Sequence, residues 1–233
     1  MNATVGAHKR TARAVGILIL GGYLTYGLGS SITTAITTAP GYLPQASGGS
    51  TVAAGALMML VNSALVIGVG VLLYPVLRVH STTIALGYAA TRLFEGILMA
   101  VGVASVLTLA ALGTTGASIE QTSLESLTTL LVTSNLVAYN IAMLGLSIGS
   151  LFLCILLYRS RLVPRFLGVW GFIGYAIFAA GCLLELLGYT GAGLVATIPG
   201  GLWELFFAVW LIVKGFAPSN AVVRTTEASA VAS

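Results

Sequence analysis

Six apolar runs, each about twenty residues or longer and parted by short polar links, constrain this chain more than any other feature. A helix of that length crosses a hydrocarbon core about 30 Å thick. Inside that core no water is present to bond free backbone groups, so an open sheet is excluded and a helix satisfies itself. Composition agrees: 7% of residues are charged and 58% are hydrophobic, with a mean hydropathy of +1.02. A soluble domain carries about 25% charged residues. The sequence therefore predicts an all-α, polytopic integral membrane protein, a bundle of six transmembrane helices in a single domain over residues 1–218.

The expected helices cover about 14–38, 51–77, 82–112, 135–158, 166–189 and 194–214. The basic start with Lys9, Arg10 and Arg13 resembles a signal peptide, but the run from Ala14 to Thr38 exceeds a signal's apolar region and reads as a retained helix. Residues 40–50 form a loop by their Pro and Gly content, with Tyr42 at the membrane edge. Residues 113–126 are a polar link. The Leu/Ser/Thr alternation of 123–134 either lies at the interface or extends helix 4. Residues 219–233 are small and polar, a composition that predicts a disordered tail. The hydroxyls from Ser30 to Thr38 either bond back to their own helix or line an outward-facing cavity. A faint likeness between the helix 2–3 and helix 4–5 hairpins hints at internal repetition. Cys154 and Cys182 fall at different depths, which argues against a disulfide.

With six spans, nine of the ten Lys and Arg residues fall on one side. The positive-inside rule then places both termini in the cytoplasm. Trp170, Trp210, Tyr74 and Tyr158 lie near that edge as an aromatic belt would. This placement at membrane edges also explains the formal charge of +4 without invoking nucleic acid.

The tenth basic residue is Arg92, inside helix 3. A charge at that depth costs roughly 2.5–3.5 kcal/mol on insertion scales, so something must offset it. Glu95 follows three residues on, one turn away on the same face. Glu204 lies ten residues before Lys214, and Arg92 about ten into its own helix, so both stand roughly 15 Å deep. If helices 3 and 6 are near, Arg92 bridges the two carboxylates. Tyr88, Asn62 and Asn140 are further candidates for a ligand-binding or proton-relay site, with Asn135 and Tyr139 along the same polar path. Pro199-Gly200-Gly201, just outward of Glu204, either breaks helix 6, as at transporter binding sites, or marks its first turn.

Two readings of the cluster stand side by side. One is a salt-bridge network that fixes packing. The other is a polar site for a small solute, a lipid-like molecule or a proton. A non-catalytic membrane partner or regulatory subunit fits the first reading. An intramembrane enzyme using Glu95 or Glu204 as acid/base is a third class, which nothing in the sequence specifies. His8 and His80 are the only histidines and neither is inside a predicted span, which argues against bis-His haem, intramembrane zinc and Ser-His hydrolysis. No lysine lies at mid-depth and no phosphate or dinucleotide loop is visible. No cofactor or metal is expected, and the expected partners are membrane lipids and a small-molecule ligand.

The chain resembles a bacterial membrane family, domain of unknown function 4386. The resemblance rests on Leu73-Tyr74-Pro75-Val76-Leu77-Arg78, on Gly87-Tyr88 leading to Arg92 and Glu95, on Ser160-Arg161-Leu162-Val163-Pro164-Arg165 with Trp170-Gly171, and on Trp203-Glu204 leading to residues 209–216. It implies a location in the bacterial inner membrane and implies no activity.

Overall fold

The computed structural model describes residues 2–37, 49–115 and 120–217. The loop at 40–48 with Tyr42, the tail at 219–233 and part of the 113–126 link lie outside the described residues. Six helices follow in order: α1 Asn2–Thr37, α2 Gly49–Leu77, α3 Thr82–Thr115, α4 Gln121–Ser160, α5 Arg165–Leu186 and α6 Ala192–Val213. All six are long and apolar enough to cross a membrane, and no strand occurs among the described residues.

Several helix ends depart from the expected ones. α1 starts at Asn2 and α4 at Gln121, well before 14 and 135. Hydropathy marks where the apolar core ends, whereas the i→i−4 hydrogen bonds continue into water wherever propensity allows. In α4 the hydroxyls of Ser126, Thr128, Thr129 and Ser134 bond back to the carbonyls of Thr122, Leu124, Glu125 and Leu130, so the alternating stretch extends the helix. The hydroxyls of α1 behave alike, with Thr33 bonding to Ser30 O and Thr37 to Thr33 O. α5 stops at Leu186, where Gly188 and Gly191 turn the chain at φ 97° and 86°.

α6 is neither broken at Pro199 nor begun there: it runs unbroken from Ala192 through that proline. Its first turn is held from α5, because the Glu185 carboxylate accepts the N–H groups of Gly191 and Gly193 at 3.1 and 2.9 Å. Further along, α5 presents Gly174 to the Pro199–Gly200 backbone, where a Cβ would meet Gly200 at 3.0 Å. Close backbone packing of this kind tolerates a helical proline.

Each helix packs on its neighbours in sequence, and α6 returns to α1, so the six form a closed up-and-down ring. Glycines set the closest seams. On α4, Gly145 meets the Phe94 ring and Gly149 meets Thr91, which fixes α3 against α4 through the Gly-xxx-Gly pair. A ring of six leaves a space at its centre, and what points into it decides the chemistry. Among the described residues, Lys9, Arg10, Arg13, Arg78, Arg159, Arg161, Arg165 and Lys214 lie at one end of the ring, and Glu120, Glu125 and Glu185 at the other. The sulfurs of Cys154 and Cys182 are both buried and free.

A candidate buried site at mid-depth

Arg92 is 4% exposed and every nitrogen of its guanidinium is engaged. Nε donates to Tyr88 Oη at 2.8 Å, Nη1 to Glu95 Oε2 at 2.9 Å and Nη2 to Glu204 Oε1 at 3.2 Å. The guanidinium also stands 5.4 Å from the Tyr88 ring centroid. Room for the stem comes from α2: a Cβ on Gly70 would sit 2.8 Å from Arg92 Cβ. The expected bridge between the two carboxylates is thus made by the length of the arginine, reaching from α3 across to α6.

Glu204 receives more donors than Arg92 alone. Tyr23 Oη donates to its Oε2 at 2.9 Å, and Tyr175 Oη donates to its Oε1. Beside it Trp203 is fully buried, its Nε1 donating to Leu167 O at 2.6 Å, which ties this turn of α6 to α5.

A cavity of about 160 Å³ opens against this cluster, lined from all six helices. Arg92, Glu95 and Glu204 form its polar floor; Met99, Met143 and Phe178 are among its apolar walls. Tyr26 of α1 stacks on Tyr139 of α4 at 5.5 Å and 16°, forming part of the wall. Tyr23 and Gly27 both line the cavity and are exposed on the outside of α1. Across from them on α6, Thr197 and Gly201 line it and are half-exposed. The mouth therefore lies in the side wall between α1 and α6, at a depth where lipid, not water, would surround the bundle.

The other candidates separate. Asn62 lines the cavity, its Nδ2 donating to Met99 Sδ at 3.5 Å, and Tyr139 lines it too. Tyr88 lies behind Arg92, outside the cavity, and holds the guanidinium from the rear. Asn140 is outside it as well, bonded to Leu136 O at 3.0 Å and packed on Gly193. Asn135 packs on Gly102 of α3. None of the α1 hydroxyls from Ser30 to Thr37 lines the cavity, and Thr38 lies outside the described residues.

Tyr23, Tyr26 and Tyr175 also stand at the site, and none of them was expected there. A signal was present. Tyr23 is ten residues after Arg13, and Tyr175 ten after Arg165, the same count that sets Arg92 from Thr82 and Glu204 from Lys214. A tyrosine that deep is far from the interfacial belt and needs a polar partner. No group of three or more His, Cys, Asp or Glu able to hold a metal occurs among the described residues.

Fold and site together define a multi-pass helical membrane protein with a buried Arg/Glu cluster under an inter-helical cavity. The chain belongs to the family described as a domain of unknown function (DUF4386), whose sequence model matches residues 14–215. No curated protein and no solved structure matches it.

Proposed function

We propose that this protein binds a small, mainly apolar molecule with a hydrogen-bonding or cationic head, taken up from the bilayer into the cavity above Arg92, Glu95 and Glu204. The observation that carries this reading is the cavity itself, a mostly apolar space of about 160 Å³ ending on an ionic floor at mid-depth. An engineered protein cavity of about 150 Å³ accepts benzene, so a group of one ring's size fits without rearrangement. One guanidinium against two carboxylates favours a donating or cationic head over an anionic one. The mouth beside Tyr23 and Gly27 suits a lipid-soluble ligand.

The protein's place is proposed with it: the bacterial inner membrane, both termini cytoplasmic, by the positive-inside rule. A second reading has its own observation. Each nitrogen of Arg92 already has a partner, as in a purely structural network serving a membrane partner or regulatory subunit. The two separate in a thermal-shift screen of the detergent-solubilised protein against ring-sized amines, alcohols and carboxylates. The binding reading expects amines or alcohols to stabilise the wild type and not Glu204→Gln. Absence of stabilisation by any of the three classes would support the structural reading.

A further inference from the structure

At the basic end of the bundle, away from the mid-depth cavity, the α4–α5 loop and the residues after α6 enclose a second recess of about 410 Å³. Two left-handed residues build it. Arg161, at φ 57°, ends α4 with its N–H on Leu157 O. Gly215, at φ 74°, ends α6 with its N–H on Trp210 O and folds the chain back, so that Ala217 N–H bonds Leu162 O at 2.9 Å. The recess is thus pinned on both sides by backbone bonds.

Its lining combines three cations with an apolar base. Arg161, Arg165 and Lys214 line it, and among the described residues no carboxylate does. Arg165 is positioned by stacking over the Tyr158 ring at 5.3 Å. Trp210 also lines the recess, and its indole N–H is buried with no acceptor among the described residues. Below Trp210 the aromatic surface continues: Phe206 stacks on it and touches Trp170 and Phe166, and both phenylalanines are exposed on the lipid-facing side.

From this arrangement we infer that the recess binds the phosphate headgroup of an anionic phospholipid, with the acyl chains lying along Phe206, Phe166 and Trp170. The level of the site selects lipid over free phosphate. It sits where span ends meet the headgroup region, and its polar pocket runs into an apolar stripe that a free ion would not use.

The test uses the full-length protein in neutral detergent, with phosphatidylglycerol or phosphatidylcholine added and binding read by native mass spectrometry. Phosphatidylglycerol is expected to bind the wild type about a hundredfold more tightly than phosphatidylcholine, three cationic contacts at about fivefold each. Arg161→Gln/Arg165→Gln/Lys214→Gln should remove that preference. Arg10→Gln/Arg78→Gln/Arg159→Gln, matched in charge at the same end, should retain it. Equal affinity for the two lipids, equal loss in both triple variants, or displacement of phosphatidylglycerol by inorganic phosphate would each overturn the inference. Should the recess triple fail to fold, the single variants Arg165→Gln and Lys214→Gln carry the test: severalfold weaker phosphatidylglycerol binding supports the site, and unchanged binding in both sinks it.

Discussion

The energetics of the mid-depth cluster turn on Arg92. Replacing it with Met leaves Glu95 and Glu204 facing each other without a cation, and breaking a buried pair in this way costs about 3–5 kcal/mol. Glu204→Gln is milder, because the single amide oxygen still accepts from Tyr23 or Tyr175 and Arg92 keeps Glu95 as its counter-charge. We expect Arg92→Met to unfold at markedly lower denaturant than Glu204→Gln when both are compared in the same detergent; the reverse order would show that Arg92 is not the keystone. Tyr23→Phe removes one donor from Glu204 while leaving the arginine pairs intact. Its expected cost is about 1 kcal/mol, read in the same titration. How far such residues could be read from sequence is uneven. Arg92, Glu95 and Glu204 stand out because charge inside an apolar run is conspicuous. Tyr23, Tyr26 and Tyr175 do not, since an aromatic ring fits an apolar run and only its hydroxyl asks for a partner.

Among the elements, α6 carries the clearest lesson. Pro-Gly-Gly in the middle of a span reads as a break or a start, yet the helix continues, held from α5 by Glu185 at its first turn and by Gly174 against Pro199–Gly200. These contacts come from another helix, and local pattern cannot show them. If the helix is already continuous, Pro199→Ala should leave the fold unchanged and raise stability by up to about 3 kcal/mol, the interior helix penalty of proline. Loss of folding in that variant would mean the proline sets a bend that the packing needs. The glycines of α1 and α4 make a further contrast. Gly149→Leu would drive a side chain into Thr91 and should destabilise by about 1–3 kcal/mol or more. A Cβ at Gly27 meets nothing within 4 Å, so Gly27→Leu should fold normally and yet narrow the cavity mouth. Ligand stabilisation lost at unchanged intrinsic stability would place the mouth there; unchanged stabilisation would place it elsewhere.

On the scale of the whole molecule, the number and order of spans were legible because hydropathy reports what lipid requires. The ring was not, since which apolar faces meet depends on small residues scattered over all six helices. The charge pattern is a property of the entire chain, and it carries the orientation proposal. Cysteines introduced at Val79 and Tyr189, both exposed and at opposite ends, test it in intact cells. A membrane-impermeant maleimide should label Tyr189→Cys directly and Val79→Cys only after permeabilisation; the opposite pattern would invert the topology.

The proposed ligand site is the space above Arg92, filled from the bilayer. An experimental structure of the protein in lipid, with non-protein density resolved inside the bundle, tests it most directly. Ordered density is expected in the cavity, entering between α1 and α6 beside Tyr23 and Gly27 and ending within hydrogen-bonding distance of Glu95 or Glu204. A collapsed, dry cavity with Arg92, Glu95 and Glu204 sealed from both lipid and water would contradict it.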